Sequence, residues 1–265
     1  MIWSGDCREE IILSNFNSQI MLEINKIHLG DCLELMKLIP DWSIDAIITD
    51  PPYWTTACKW DTVIPFDKMW EQLKRVIKPN GAIVLFGSEP FSSALRMSNI
   101  KNYKYDWKWE KEQGLGNLNA KKRPLAKTED ICVFYKKQCL YNPQMTKGKP
   151  YTIKRNKNKS EFLGKNGTKD GYITENNGER YPVNIIFEKR ELTNRLHPTQ
   201  KPVALIEYLI RTYTNEWETV LDFTIGSGTT AIACINTNRN YIGFELDKWY
   251  FDIANKRLSE IVEKK

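Results

Sequence analysis

The sequence predicts an α/β fold built on a mostly parallel sheet, and three observations support this. Short apolar segments alternate with segments of helical periodicity near both ends of the chain. The run 44–49 is apolar and rich in β-formers, and the run 82–86 is apolar on both faces, as a central strand is. The 265 residues suffice for one large α/β domain, or one with a modest insertion.

In the first half, the elements alternate in a regular order. A strand at 24–29 ends at Gly30-Asp31, and a helix follows through residue 38. The second strand ends at Asp50, and the next helix stops at Lys78-Pro79-Asn80-Gly81. The predicted strands are 24–29, 44–49, 82–86, 103–109 and 130–135, and the later helices are 66–77 and 91–97.

From 136 to 195 this pattern gives way to Asn, Lys, Gly and Thr, which predicts an insertion without a compact core of its own. Residues 136–201 hold 15 Lys+Arg against 6 Asp+Glu, so the positive charge of the chain belongs to this segment. It is a candidate phosphate-binding surface, with a merely solvated lysine-rich insertion as the alternative. After it we predict helix 202–213, strand 219–222, helix 228–236, strand 241–245 and a final helix.

Composition excludes several classes of protein. The six cysteines form no CxxC pair and there are only two histidines, so a zinc site or a disulfide framework is not expected. No apolar run approaches the roughly twenty residues of a membrane span, and the amino terminus lacks the regions of a signal peptide. We therefore expect a soluble intracellular protein.

The strongest candidate site is Asp50-Pro51-Pro52-Tyr53, at the end of the second strand. Prolines cannot extend a sheet ladder, so the chain must leave the sheet here with a stiff backbone. The Asp50 carboxylate and the Pro51 carbonyl could each accept a hydrogen bond from an amino group while Tyr53 stacks on the ring that carries it. By itself, the motif leaves open a simple proline turn.

A second candidate site is the loop 222–230, Asp-Phe-Thr-Ile-Gly-Ser-Gly-Thr-Thr, between a predicted strand and helix. Its glycines allow close approach of a ligand, and Glu245 ends the next strand, where an acid reaches ribose hydroxyls. The loop lacks the third glycine of the pyrophosphate fingerprint, and Asp222 would repel a phosphate. These features favour a positively charged nucleoside, with a dinucleotide oxidoreductase and an unliganded glycine turn as alternatives.

Together the two motifs resemble those of DNA amino-methyltransferases of the permuted, beta class, in which the catalytic motif precedes the cofactor loop. The resemblance implies a seven-stranded, doubly wound, Rossmann-like sheet that binds S-adenosylmethionine. It implies that Asp50, Pro51, Pro52 and Tyr53 are catalytic. Asp before the two prolines is typical of adenine-N6 enzymes, whereas cytosine-N4 enzymes more often carry Ser, so adenine is favoured and cytosine N4 is the alternative.

The resemblance also implies a cofactor site that includes Gly30-Asp31-Cys32 and the segment 197–202. The family usually reads Asp-Pro-Phe before the glycines, whereas this chain has Asp222-Phe223-Thr224, which displaces the aromatic ring by one position. His197 is expected at the cofactor and not as a general base. The expected cofactor-binding residues are Asp31, Cys32, Asp50, His197, Thr199, Lys201, Asp222, Phe223, Thr224, Gly226, Ser227, Gly228, Thr229, Thr230, Glu245 and Leu246.

The partner implied by the resemblance is double-stranded DNA, from which the target base must be flipped. We expect a catalytic half at 1–135, a target-recognition insertion at 136–195 and a cofactor-binding half at 196–265. The region 109–124 resembles the family's loop beside the flipped base, with a flexible basic linker as the alternative. The expected DNA-binding residues are Lys121, Lys122, Arg123, Lys154, Arg155, Asn156, Lys157 and Arg180.

Other properties stay open at this level. A catalytically inactive DNA-binding homologue is an alternative of a different class, although intact Asp50, Tyr53, Asp222 and Glu245 argue against it. The recognition sequence, a homodimeric state and a restriction endonuclease counterpart are not determined by the residues. A cytoplasmic location, in a bacterial cell or a phage-infected host, follows from the resemblance.

Overall fold

The computed structural model describes residues 22–54, 62–155, 172–192, 196–197 and 199–262. These residues form an α/β fold with a mostly parallel central sheet, which confirms the predicted fold class. The helices are α1 (Cys32–Met36), α2 (Phe66–Val76), α3 (Phe91–Ser98), α4 (Val203–Tyr213), α5 (Thr229–Asn236) and α6 (Lys248–Val262). The strands are β1 (Lys26–Leu29), β2 (Ile44–Thr49), β3 (Ile77–Gly87), β4 (Tyr103–Leu115), β5 (Ala126–Phe134), β6 (Thr146–Lys147), β7 (Tyr151–Arg155), β8 (Tyr172–Asn176), β9 (Glu179–Arg180), β10 (Ile185–Phe187), β11 (Thr219–Asp222) and β12 (Asn240–Glu245).

The central sheet has the order β1-β12-β11-β2-β3-β5-β4-β10. Strand β5 runs antiparallel to both of its neighbours, and the other pairs are parallel. The sheet therefore has eight strands and not the seven that the resemblance implied. The eighth, β10, is only three residues long and pairs with β4 beyond the predicted seven.

Helices cover both faces of this sheet. Buried side chains of α1, α2 and α3, such as Leu73, form one core with residues of the sheet, and those of α4, α5 and α6, such as Leu209, form the other. Along β2 the side chains alternate between the two cores, since Ile47 belongs to the first and Ala46 and Ile48 to the second. Both faces of β2 are covered, which explains why most of its residues are apolar. The charged residue of this strand, Asp45, is only partly buried and pairs with Lys78.

Two strands extend further than predicted. Strand β3 begins at Ile77, where we predicted the end of a helix, and the Lys78–Gly81 turn is an irregularity between the paired positions Ile44–Ile77 and Ala46–Ala82. Strand β4 continues to Leu115, which pairs with Ala126 of β5. Much of the expected loop at 109–124 is thus a β-hairpin, because backbone pairing between β4 and β5 extends past the sheet core.

The basic segment is partly separate from the central sheet. Strands β6 and β9 form one small antiparallel pair, and β7 and β8 form another. Strand β10, also within the predicted insertion at 136–195, instead belongs to the central sheet, and Ile186 is buried there. Among the described residues, no helix is both long and apolar enough to cross a bilayer.

Candidate active site

The two motifs meet at one edge of the sheet. Strands β2 and β11 are parallel neighbours, so Asp222, the last residue of β11, and Asp50, which follows β2, lie at the same edge of the sheet. The connections from these strands diverge here, with β3 on one side and β12 on the other, and such a switch point opens a crevice. The crevice is a cavity of about 340 Å³ that residues of both motifs line.

The Tyr53 side chain contacts the Asp50 carboxylate. Its hydroxyl donates a hydrogen bond to Asp50 Oδ1 and lies 3.4 Å from Glu129 Oε1. Its ring packs against Phe91 with 4.9 Å between the ring centroids. Burial is the main cause that raises the pKa of Tyr53 well above its usual value, so the phenol stays neutral and remains a donor.

A second buried group contacts the same carboxylate. Lys201 Nζ lies 2.5 Å from Asp50 Oδ2 and 2.8 Å from Glu129 Oε1, and the Lys201 side chain is only 8% exposed. Lys111 adds a further cation, 2.8 Å from Glu129 Oε2. The cluster Asp50, Glu129, Lys111 and Lys201 thus contains two acids and two bases, so its formal charges balance.

The protonation states follow from this pairing. Burial raises the pKa of Asp50, and the Lys201 ammonium opposes that rise. Burial also works against the charged form of Glu129, but Lys201 and Lys111 together leave its pKa lowered. Burial disfavours the Lys201 ammonium, yet Asp50 and Glu129 leave its pKa raised, so Lys201 stays cationic.

Sequence reasoning missed Glu129 and Lys111 and did not predict the partner of Lys201. Lys201 lines the cavity with the other predicted cofactor-binding residues, and its ammonium pairs with the Asp50 carboxylate of the predicted catalytic motif. Glu129 and Lys111 lie on β5 and β4, far from either motif in sequence. The sequence signal that could have identified Glu129 and Lys111 is a charged residue inside a β-rich run, because a charge buried there must pair with an opposite charge.

Asp222 is the centre of a hydroxyl cluster. Its carboxylate accepts hydrogen bonds from Thr49 and Thr230, each 2.5 Å long, and one of 3.1 Å from the Thr224 amide. Burial raises the pKa of Asp222 to about 6, although these hydrogen bonds lower it. Both carboxylate oxygens are therefore engaged within the protein, even though Asp222 lines the cavity.

Thr224 links the two motifs directly. Its hydroxyl lies 3.0 Å from the Asp50 carbonyl oxygen and 2.8 Å from the Thr49 hydroxyl. The backbone of the catalytic motif is therefore tied to the glycine loop 174 residues later in the chain. Through this bridge, the loop fixes the strand end that carries Asp50.

Two further acids keep acceptor capacity toward the cavity. Glu245 accepts one backbone hydrogen bond on each oxygen, from Gly226 (2.9 Å) and Asp247 (2.8 Å), and burial raises its pKa to about 7. Asp31 caps α1 with Oδ1 alone, accepting from the Leu33 and Glu34 amides. Because a carboxylate has about four acceptor positions, both side chains can still accept bonds from ligand hydroxyl or amino groups.

The predicted cofactor residues converge, with one exception. All of those named above line the cavity except Gly228, which has a φ of 83° and precedes α5, and where an added Cβ would lie 3.2 Å from Ala254 Cβ. The Phe223 side chain is buried in the core beneath the cavity wall. Gly30, Gln200 and Ile225, which belong to the predicted segments, also line it. Lining residues outside the predicted segments are Leu33, Ile48, Thr49, Thr62, Val63, Ile64, Pro65, Phe86 and Ile206.

His197 and its neighbours also line the cavity. The His197 ring packs on Tyr250 with 4.2 Å between centroids, and its Nδ1 lies 3.0 Å from the Thr199 hydroxyl. Gly226 lies directly beneath this ring. Burial raises the pKa of the Cys32 thiol to about 12, so this lining residue is uncharged.

Apart from Arg180, the predicted DNA-binding residues fall into three groups. Lys121, Lys122 and Arg123 are exposed beside the tip of the β4–β5 hairpin, and Lys154 is exposed on β7. Asn156, Lys157 and the side chain of Arg155 lie outside the described residues.

Arg180, also predicted to bind DNA, makes contacts within the protein. Its guanidinium donates to the Asn176 side chain and to the Lys149 carbonyl, and it stacks on Tyr151 at 4.7 Å. These contacts hold the guanidinium within the small sheets, because it satisfies acceptors that the turns leave free. In the described part of the chain, no group of three or more His, Cys, Asp or Glu residues could hold a metal ion.

A doubly wound sheet with an acid-lined cavity at its switch point is the architecture of S-adenosylmethionine-dependent DNA methyltransferases. A family model described as "DNA methylase" matches residues 44–256, and the chain belongs to this family. It is 28% identical to Type II methyltransferase M1.MboII of Moraxella bovis, over 91% of this chain and 99% of that protein. It is 30% identical to Type II methyltransferase M.BglII of Bacillus subtilis, over 94% of this chain and 72% of that protein.

Solved structures agree with this placement. The M1.HpyAVI–SAM complex superposes with a TM-score of 0.60 at 28% identity, covering 88% of this chain and 98% of that chain. The PvuII DNA methyltransferase, described as cytosine-N4-specific, has a TM-score of 0.63 at 17% identity, covering 92% and 93%, and supports the fold alone.

Proposed function

We propose that this protein is a site-specific DNA methyltransferase that moves a methyl group from S-adenosylmethionine to the N6 amino group of adenine in duplex DNA. The observation that carries the proposal is the position of the Asp50–Tyr53 motif on the same cavity as the glycine loop and Glu245. One cavity can therefore hold an amine acceptor and a nucleoside cofactor side by side.

The residues present fit the cofactor. Glu245 and Asp31 keep free acceptor positions for ribose hydroxyls and for the adenine or amino-acid amines. The apolar surfaces of Ile225 and Leu246 line the same space and suit an adenine ring. When bound, S-adenosylmethionine supplies an electrophilic methyl group on a positively charged sulfur.

Asp50 and the Pro51 carbonyl hold the target amine. Among the described residues, no donor occupies the Pro51 carbonyl, so it is free to accept a hydrogen bond from a ligand. Two acceptors on the amino hydrogens draw the nitrogen lone pair out of conjugation and direct it into the cavity. The part of these residues is to direct the nitrogen at the methyl group that the bound cofactor would supply, and the proton displaced from the nitrogen would pass to solvent.

Lys201 supports this step through Asp50, whereas Tyr53 contacts the base itself. The Lys201 ammonium opposes the rise in the pKa of Asp50 that burial causes, and Glu129 with Lys111 holds Lys201 in place. Tyr53 supplies a ring on which the flipped base stacks, which offsets part of the unstacking cost of a few kcal/mol. Arrangement and electrostatics therefore provide the rate enhancement, without a strong base.

The adenine assignment rests on Asp50, since Asp is typical of the adenine-N6 enzymes that the motif resembles. Target recognition is assigned to the part of 136–195 outside β10, where the positive charge is concentrated. The relatives named above are Type II methyltransferases, which supports a role beside a restriction endonuclease of the same specificity.

Label transfer from methyl-tritiated S-adenosylmethionine to duplex DNA tests this function. We expect labelled DNA whose hydrolysate contains N6-methyladenine by nucleoside mass spectrometry, whereas N4-methylcytosine would overturn the choice of base. Asp50→Ala should bind the cofactor normally in calorimetry and transfer no label. A wild-type protein that binds DNA and cofactor without transfer would establish the inactive homologue instead.

A further inference from the structure

The β4–β5 hairpin ends in an ordered tip that carries an unusual side chain. Gly116, with φ of 97°, starts a 3-10 turn at Asn117–Asn119, and backbone hydrogen bonds from Asn119 to Gly116 (2.9 Å) and from Lys122 to Asn119 (2.8 Å) close it. Leu118 stands on this turn and is 100% exposed. A single exposed leucine is ordinary on a protein surface, so its surroundings decide what it does.

The first relevant observation is the position of the hairpin tip relative to Asp50. Strand β4 runs parallel to β2 across β3 and β5, so its carboxyl end points to the same edge of the sheet as Asp50. Lys111 of β4 belongs to the charge cluster at Asp50, and the strand continues four residues past it to Leu115, about 13 Å at the usual rise. The tip therefore projects past the level of the cavity on the side where a duplex must approach.

The second is charge. Lys121, Lys122 and Arg123 follow the turn directly and are exposed, and within the described residues none of the three makes an ion pair. Three free cations beside one bare apolar side chain suit a phosphate backbone that flanks an apolar base stack.

The third is rigidity of the stem. Glu112 forms two bonds with the Arg190 guanidinium, at 2.6 and 2.9 Å, and Lys127 pairs with Glu110 at 2.7 Å. Gly114 has no side chain, and a Cβ there would lie 2.7 Å from Leu125 Cβ, so the two strands approach closely. Because these contacts restrain the two strands of the hairpin, a residue at its tip can keep its position when it contacts DNA.

We propose that Leu118 is a wedge that enters the base stack of the duplex and fills the gap left by the flipped base. In this proposal, the cations of Lys121, Lys122 and Arg123 bind the phosphates beside that gap. Extrusion of a base leaves its neighbours unstacked, and an apolar side chain that occupies the space stabilises the flipped state. This inference rests on the proposed function, because only an enzyme that flips its target needs a wedge.

The test compares Leu118→Ala with wild type on two duplexes that contain the recognition site, identified beforehand by sequencing modified bases in DNA of expressing cells. One duplex is fully paired, and the other places an abasic site opposite the target base. The variant should lose about tenfold or more in kcat/KM on the paired duplex, and the abasic duplex should restore most of the loss because the target is already unpaired. With 2-aminopurine at the target position, the fluorescence rise on binding should follow the same pattern.

Two controls separate the wedge from the surrounding charges and from protein stability. Leu38→Ala removes an exposed leucine near the opposite edge of the sheet and should leave both duplexes unaffected. Lys121→Ala should weaken binding to both duplexes equally and reduce its salt dependence, since it contacts only phosphate. Leu118→Ala that methylates and flips the paired duplex like wild type would overturn the wedge, as would an equal defect on both duplexes, while label transfer by wild type would still support the proposed function.

Discussion

Lys201 Nζ lies 2.5 Å from Asp50 Oδ2, although the two residues are 151 positions apart in the chain. Lys201 is buried, Asp50 is partly buried with 20% of its side chain exposed, and Glu129 and Lys111 complete the charge cluster. A carboxylate in such a place would be protonated without a cation beside it. The state of Asp50 therefore depends on a residue outside its own motif.

Lys201→Met should lower kcat by about a hundredfold and leave cofactor affinity unchanged, because a preorganised charge at the reacting group is lost. Removing the ammonium raises the pKa of Asp50 further, so the acidic limb of the kcat profile should move to higher pH. Lys108→Met is a matched control, since Lys108 also pairs with two acids, Asp106 and Asp130, away from the cavity. An unchanged acidic limb in Lys201→Met would contradict the assignment.

Tyr53 has a ring and a hydroxyl whose roles can be separated. Tyr53→Phe keeps the ring and loses the hydrogen bond to Asp50, so turnover should fall by less than about tenfold. Tyr53→Ala also loses base stacking, worth about 1–3 kcal/mol, and should lose up to about a hundredfold in kcat/KM for DNA. Equal losses in the two variants, measured by steady-state methylation, would show that the hydroxyl and not the ring carries the effect.

The Asp222 hydroxyl cluster should contribute to stability. Thr49→Val removes one of the two short hydroxyl bonds to a fully buried carboxylate, which should cost about 1–3 kcal/mol of unfolding free energy. Thr212→Val is the matched control, because its buried hydroxyl bonds only the Tyr208 carbonyl within α4. Urea titration measures the unfolding free energy of both variants. Equal losses would mean that the Asp222 cluster stabilises the fold no more than an ordinary buried hydroxyl bond does.

Cofactor binding should depend on the protonation of Glu245. Its pKa is raised from 4.5 to about 7 in the protein alone, and accepting two ribose hydroxyls requires the ionised form. Affinity for S-adenosylmethionine should therefore increase as the pH rises through about 7, with proton release below it. Glu245→Gln should bind more weakly and lose this dependence in calorimetry at pH 6 to 8. A dependence that survives in Glu245→Gln would assign it to another group.

The basic insertion should be removable without loss of the fold. The Gly148 amide lies 2.6 Å from the Gly178 carbonyl, so deletion of 149–177 leaves ends that a short linker joins. The deletion removes seven basic and three acidic residues, and the variant should bind S-adenosylmethionine normally while losing DNA affinity in fluorescence anisotropy. A deletion that also removes 183–187 should unfold at lower urea, since it takes β10 from the central sheet. Unchanged DNA affinity would place recognition elsewhere.

The sequence by itself determined the elements whose causes are local. Apolar runs with period two or without polar interruption predicted β2, β11 and β12 nearly to the residue, and Pro202 and Gly228 marked the starts of α4 and α5. The two motifs were found because prolines and glycines restrict the backbone wherever they occur. These features depend on neighbours in the chain, and the tertiary structure left them in place.

Only the tertiary structure decided which distant side chains meet. The order of strands brings Lys111 of β4, Glu129 of β5 and Lys201 to Asp50, and it adds β10 to the sheet. It also gives the Arg180 guanidinium its partners, the Asn176 side chain and the Lys149 carbonyl, which periodicity could not have predicted. A buried charge must pair with an opposite charge, but strand order and register decide which segment of the chain carries that partner. No local sequence pattern encodes strand order or register.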